Sequence, residues 1–314
     1  MKKISAIGLF LTCIPLICSG YIYDITRLAK KDSHDAEPIF VGLSDFHDKA
    51  NQANVVQISA LEQALGGITE KTKFIVEDLS SHNSQGRFAC GHYFVNSRGG
   101  ILGGLADTVK SKGFAVENIE YRYCRVTSLG PVLNNVREPL HKFASVASTT
   151  IQALYAEIHA TIKEIEAYND GPVLQKMYQS IIKDVRAQVV ALQFESHNAL
   201  SVADYLNARS TQATRMSLLK KLLTFDSSLL DAKLVHSVVT TKDTRNIVAI
   251  AGGSHIVRVA EMLQKIGYKK IPSNNVAYAK EHDLQRCLGS HIIDGAYCMK
   301  PKPIDAKKIV EAIK

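Results

Sequence analysis

The sequence has few of the features that mark membrane, disordered or fibrous proteins. Its one long apolar run, from Ile4 to Ile17, is shorter than the roughly 20 residues that a membrane-spanning helix needs. It contains no low-complexity segment and no internal repeat. Hydrophobic residues make up 46% of the 314 residues and charged residues 22%, with a mean hydropathy of −0.02. This composition is that of a globular protein.

Several common functional motifs are absent as well. The glycine-rich stretch from Gly99 to Gly104 lacks the Lys and Ser/Thr of a P-loop and the glycine spacing of a dinucleotide-binding loop. No Gly-x-Ser-x-Gly motif occurs, which argues against a serine nucleophile of the α/β-hydrolase type. The net charge is +8, but basic and acidic residues are interspersed, so we expect no nucleic-acid partner.

The N-terminus has the pattern of a secretory signal peptide over residues 1–20. Lys2 and Lys3 precede the apolar run, and the small residues Ser19 and Gly20 follow it. We expect cleavage after Gly20, which leaves an exported protein, periplasmic or secreted, with no membrane span. An uncleaved N-terminal anchor is the alternative. Cleavage would lower the net charge from +8 to +6 and the number of cysteines from six to four.

The four cysteines of the mature chain are Cys90, Cys124, Cys287 and Cys298. In an oxidising compartment they can form two disulfides. The short spacing of Cys287 and Cys298 favours a local bridge between them, with Cys90 and Cys124 as the second pair. Free buried thiols are the alternative.

The order of strand-like and helix-like segments predicts an α/β fold. Pro38–Leu43 is followed by a helical pattern that ends at Gly66-Gly67, and then by the strand Lys73–Glu77. Strand, helix and strand within about 40 residues are typical of a parallel sheet. Further strands are predicted at Gly113–Glu120, at Asn246–Ala251 and at Tyr268–Ile271, whereas Tyr21–Glu37 is expected to be a polar lead-in.

A helical block interrupts this pattern at about residues 138–230. Apolar residues recur at helical spacing from Leu140 to Ile165 and again from Leu174 to Leu192, with a weaker stretch at Met216–Leu223. We therefore predict a single α/β domain over residues 21–314, whose mainly parallel sheet is flanked by helices and carries a helical insertion. We expect the apolar stripes to be packing faces, with the lining of a substrate cleft or the interface of a homodimer as the alternatives.

Polar residues follow several of the predicted strands. In open α/β sheets, ligands bind outside the carboxyl ends of the strands, so these residues are candidates for a common site. Arg122 is a candidate for binding a carboxylate or an oxyanion, and Gly252 and Gly253 would allow a ligand to approach the backbone closely. The candidate catalytic and binding residues are His47, Glu77, Arg122, Gly252, Gly253 and His255.

Imidazole and carboxylate groups at one sheet edge can act in two ways. His47, Glu77 and His255 can hold a divalent metal ion, which lowers the pKa of a bound water toward about 7 and makes it a nucleophile. Without a metal ion, the same groups can serve as a general base and its orienting carboxylate.

This arrangement resembles the Tiki/TraB/GumN superfamily, which also includes erythromycin-esterase-like proteins and haem-binding ChaN-like proteins. The resemblance follows the motif order over most of the mature chain, and its most specific part is Ile247–His255 followed by Leu263–Tyr268. It implies a hydrolase of peptide or ester bonds, metal-dependent or metal-free, that acts on a peptide or a small molecule. It also implies that His47, Glu77 and His255 are the functional residues.

The sequence departs from the superfamily pattern at two positions. Ser44 stands three residues before His47, where the superfamily has Gly, and Glu77-Asp78 stands where two Glu residues are commoner. These departures keep an alternative open, in which the chain is a non-catalytic protein that binds haem or another small ligand on the same scaffold.

Overall fold

The computed structural model describes residues 21–30, 38–46, 52–68, 71–77, 109–119, 150–208, 212–271 and 304–314. The predicted signal peptide, all of the cysteines, and the candidate site residues His47 and Arg122 lie outside these ranges.

The described residues form a six-stranded sheet with the strand order β4-β3-β5-β2-β1-β6. Neighbouring strands from β4 to β2 pair in parallel, whereas β1 pairs antiparallel with both β2 and β6. The mainly parallel sheet predicted from the sequence is thereby confirmed. The strands are β1 (Tyr21–Lys30), β2 (Ile39–Phe46), β3 (Thr72–Val76), β4 (Ala115–Asn118), β5 (Asn246–Gly252) and β6 (Tyr268–Lys270).

Strand β1 was not expected, because its segment reads as a polar lead-in. In the structure, Ile22, Ile25 and Leu28 are buried, and the strand pairs along its length with β2. A register shift between Ile22 and Asp24 breaks the alternation of apolar and polar residues. Because strand prediction relies on that alternation, the irregular pairing concealed the strand.

Helices cover both faces of the sheet. One face packs against α1 and α7 around Val41, Leu43 and Phe74, and the other packs against α6 and the helical block around Phe40 and Ile75. This division follows from the alternation of side chains along each strand. The helices are α1 (Gln52–Gly66), α2 (Ile151–Glu166), α3 (Pro172–Ala191), α4 (Val202–Asn207), α5 (Gln212–Thr240), α6 (Gly253–Lys265) and α7 (Ala306–Ile313).

The described part of the first predicted apolar stripe forms α2, whereas its start at Leu140 lies outside the described residues. The second stripe forms α3. Helix α5 is much longer than the predicted stretch at Met216–Leu223 and continues ten residues past the predicted end of the block at Leu230. Its last part carries buried Leu234 and Val238 but also charged and polar residues, which obscure the apolar stripe. Within the described ranges, no helix has the length and apolar character needed to cross a membrane.

A partly buried polar cluster joins α3, α5 and the residues that follow α2. The carboxylate of Asp170, 2% exposed, accepts a hydrogen bond of 2.8 Å from the hydroxyl of Tyr178 and lies 2.9 Å from Nδ1 of His236. The ring of His236 stacks on the ring of Tyr168 with 3.6 Å between centroids. Burial, and then the bond to Asp170, raise the pKa of Tyr178 well above its usual value.

This raised pKa predicts a loss of stability in alkaline solution. In the unfolded chain Tyr178 deprotonates near pH 10, whereas in the folded protein it stays protonated, so the free energy of unfolding falls above that pH. The slope is about 1.4 kcal/mol per pH unit for each such tyrosine. Urea unfolding of the wild type and of Tyr178→Phe between pH 8 and pH 11 measures it. At pH 8 the free energy of unfolding of the wild type should exceed that of Tyr178→Phe by about 1 kcal/mol, and this difference should disappear above pH 10. A difference in the free energy of unfolding between the two proteins that stays constant from pH 8 to pH 11 would contradict this prediction.

Candidate functional site

The carboxyl ends of β3, β5 and β2 lie side by side at one edge of the sheet. Val76 pairs with Ile250, and Asp45 pairs with Gly252, so Glu77 and the turn that begins at Gly252 come to the same place. Four of the six candidate site residues, Glu77, Gly252, Gly253 and His255, therefore lie together in the described part of the chain.

His255 and Glu77 face each other below the surface. His255 is 5% exposed and lies in the first turn of α6, and Glu77, 3% exposed, directly follows β3. His255 Nε2 is 3.8 Å from Glu77 Oε1, which exceeds the length of a direct hydrogen bond. The other carboxylate oxygen, Oε2, accepts a 2.8 Å hydrogen bond from the backbone N–H of Gly252. This bond orients the carboxylate of Glu77 so that Oε1 faces the imidazole of His255.

Asp231 is a member of the site that sequence analysis missed. It lies in the last part of α5, is 2% exposed, and its Oδ1 is 2.6 Å from Nδ1 of His255. Arg258, three residues after His255 on α6, donates to both carboxylate oxygens of Asp231 through Nε and Nη2. Arg258, Asp231, His255 and Glu77 thus form a continuous line of charged and polar groups. The spacing of His255 and Arg258 on one helix was the only sign of it in the sequence.

Gly253 is explained by a contact inside the protein. A Cβ atom at this position would lie 2.6 Å from the ring carbon Cζ of Tyr23, and closer still to its hydroxyl oxygen. The close approach expected at this glycine is therefore made by β1. Helix α6 begins at Gly253 with Gly252 as its N-cap, so Ser254, a residue type that is common at N-caps, lies inside the helix.

The two polar residues at the end of β2 lie on opposite faces of the sheet. Ser44 alternates with Leu43 and shares the face of Phe40, on which α6 packs, whereas Asp45 shares the face of Val41 and Leu43. Both are buried. Asp45 is therefore directed away from the face that carries Glu77 and His255, although it ends a neighbouring strand.

The described residues supply only part of the predicted metal site. Glu77 and His255 are two of its three predicted ligands, and the third, His47, lies outside the described residues. Within the described part of the chain, no group of three or more His, Cys, Asp or Glu side chains is arranged to hold a metal ion. A metal ion at this edge would therefore need His47 or another ligand from outside those ranges.

Comparisons with known proteins give no family assignment. No family model matches the chain, and neither a curated protein nor a solved structure does. The resemblance to the Tiki/TraB/GumN superfamily therefore stays a prediction from the sequence motifs.

Proposed function

We propose that this chain is an exported hydrolase that cleaves peptide or ester bonds with a water molecule activated by His255 and Glu77. The observation that carries the proposal is the buried pair itself, with Nε2 and Oε1 held 3.8 Å apart and facing each other at the carboxyl edge of the sheet. A ligand site is expected at this edge in a parallel sheet. The Tiki/TraB-like motif order supports the same reaction class.

The separation of the two atoms suits a shared water molecule. A water at about 2.8 Å from each atom can donate to both, which a direct contact between imidazole and carboxylate would prevent. Nε2 of His255 takes one proton as the water oxygen attacks the substrate carbonyl, and Glu77 holds the other water hydrogen. The proton then passes from His255 to the leaving amine or alcohol, which yields the carboxylic acid product. General base catalysis of this kind contributes about 10²- to 10⁴-fold.

Two further residues predicted from the sequence, Arg122 and His47, have roles in this proposal. Arg122, placed after a predicted strand end, would stabilise the negative charge that develops on the carbonyl oxygen. A divalent ion held by His47, Glu77 and His255 would lower the pKa of a bound water toward about 7. Elemental analysis of the purified protein, before and after chelation, distinguishes the metal-dependent form of the reaction from the metal-free form.

Substitution of the pair should abolish hydrolysis while the fold is retained. We expect His255→Gln and Glu77→Gln each to lower the rate on a panel of nitrophenyl esters and fluorogenic peptides by about 100-fold or more. His236→Gln is the matched control, because His236 also pairs with a buried aspartate but lies in the polar cluster around Asp170. Its activity should equal that of the wild type.

Two results would overturn the proposal. One is full activity and unchanged metal content in His255→Gln. The other is a wild-type protein that hydrolyses nothing on the panel but shifts the Soret band of added haem in a manner that depends on His255, as the ligand-binding alternative requires.

A further inference from the structure

We infer that Asp231, anchored by Arg258, is a positioning residue that keeps the ring proton of neutral His255 on Nδ1 and thereby presents the lone pair of Nε2 toward Glu77. The catalytic meaning of this inference rests on the proposed function, since a general base needs that lone pair. The tautomer itself is a property of the folded chain and can be measured without a substrate.

Asp231 and His255 make a short contact. An ionised carboxylate only accepts hydrogen bonds, so a nitrogen 2.6 Å from Oδ1 has to carry a hydrogen. A neutral imidazole has one N–H and one lone pair, and a proton on Nδ1 leaves the lone pair on Nε2.

The competing arrangement has the ring proton on Nε2. Nδ1 would then accept from Arg258, whose Nη2 is 3.3 Å away, and Nε2 would donate toward Glu77 Oε1 at 3.8 Å. The 3.8 Å separation is too long for a hydrogen bond, and the 3.3 Å contact, like that of Nη2 with Oδ1 of Asp231, is at the long end of the range. This arrangement would also place the Nδ1 lone pair against a carboxylate oxygen at 2.6 Å, so the geometry favours the proton on Nδ1.

Arg258 explains why Asp231 keeps this orientation. Its guanidinium donates to both oxygens of Asp231, through Nε to Oδ2 and through Nη2 to Oδ1. A guanidinium has donors and no acceptor, so Asp231 has to stay an acceptor on this side as well. Helices α5 and α6, which carry the two residues, pack against each other and hold the carboxylate between its two partners.

The test is the long-range proton–nitrogen NMR spectrum of the ring nitrogens in the full chain labelled with ¹⁵N-histidine. His255 is assigned by comparison with His255→Gln, and spectra are taken at a pH where the ring is neutral. We expect the wild type to carry its proton on Nδ1. In Asp231→Asn we expect the tautomer to invert, because Arg258 will hold the amide oxygen and turn the NH₂ group of Asn toward Nδ1.

The second Asp–His pair of the chain provides a matched control. Asp170→Asn removes the carboxylate beside His236 and should change the signals of that ring while those of His255 stay unchanged. A wild-type His255 with its proton on Nε2 would overturn the inference, as would an unchanged tautomer in a folded Asp231→Asn. The wild-type spectrum decides the question even where the variant fails to fold.

The hydrolysis assay separates this inference from the proposed function. Where the wild type hydrolyses a substrate, Asp231→Asn should lower kcat by at least about 100-fold with little change in KM, since the base is lost and the binding groups remain. Where no hydrolysis is found but the tautomer behaves as expected, the positioning role stands and the hydrolase proposal fails.

Discussion

Replacement of Gly253 by alanine is expected to lower the free energy of unfolding by about 1–3 kcal/mol. The new Cβ would lie 2.6 Å from the ring carbon Cζ of Tyr23, well inside van der Waals contact. Gly253 is the first residue of α6 and directly follows β5, so its backbone is fixed on both sides. Tyr23 is buried, so its ring has little room to withdraw. Urea denaturation measures the loss.

Gly66 offers the same substitution at a position without this constraint. It is the last residue of α1, and a Cβ there meets nothing within 4 Å in the described part of the chain. Gly66→Ala should therefore leave stability unchanged or raise it by less than about 1 kcal/mol. A Gly253→Ala protein that unfolds at the same urea concentration as the wild type would contradict this prediction, because it would show that the Tyr23 ring can move aside without a loss in the free energy of unfolding.

The central sheet could be predicted because its strands are short, apolar and separated by turn residues. Asn246–Ala251 is buried on both faces, so every side chain in it is apolar except the first. Such a short apolar run is typical of a central strand in a parallel sheet. Strand β1 could not be predicted in the same way. Its charged residues at Asp24 and Arg27 and its register shift hide a strand that antiparallel pairing with β2 and β6 stabilises.

Only the site residues that come directly after the predicted strands could be predicted from the sequence. Glu77 and His255 could be named because the carboxyl ends of parallel strands meet at one edge, a rule that needs no knowledge of helix packing. Asp231 lies in the last part of a long helix and has no motif around it. Its contact with His255 depends on how α5 packs against α6, which is a tertiary property that local sequence does not encode.

Helix α5 connects the candidate site with the helical block. Asp231 reaches His255 on α6, and five residues later His236 reaches Asp170, which lies between α2 and α3. The same helix therefore contributes to two Asp–His pairs, one buried at the sheet edge and one partly buried beside the start of α3. Because the Asp170 pair holds α5 against the start of α3, its removal should affect stability more than a surface change would.

Asp170→Ala is accordingly expected to cost about 3 kcal/mol in the free energy of unfolding. The change removes hydrogen bonds to a charged acceptor and leaves the hydroxyl of Tyr178, a fully buried side chain, without its partner. Asp184→Ala, at an exposed position on α3, should change stability by no more than about 0.5 kcal/mol.

The double variant Asp170→Ala/Tyr178→Phe identifies the cause, because it removes the unpaired hydroxyl of Tyr178 together with its acceptor. We expect the double variant to be more stable than Asp170→Ala alone in urea denaturation. Additive losses from the two substitutions would mean that the hydroxyl finds another partner and that the cluster is not a coupled unit.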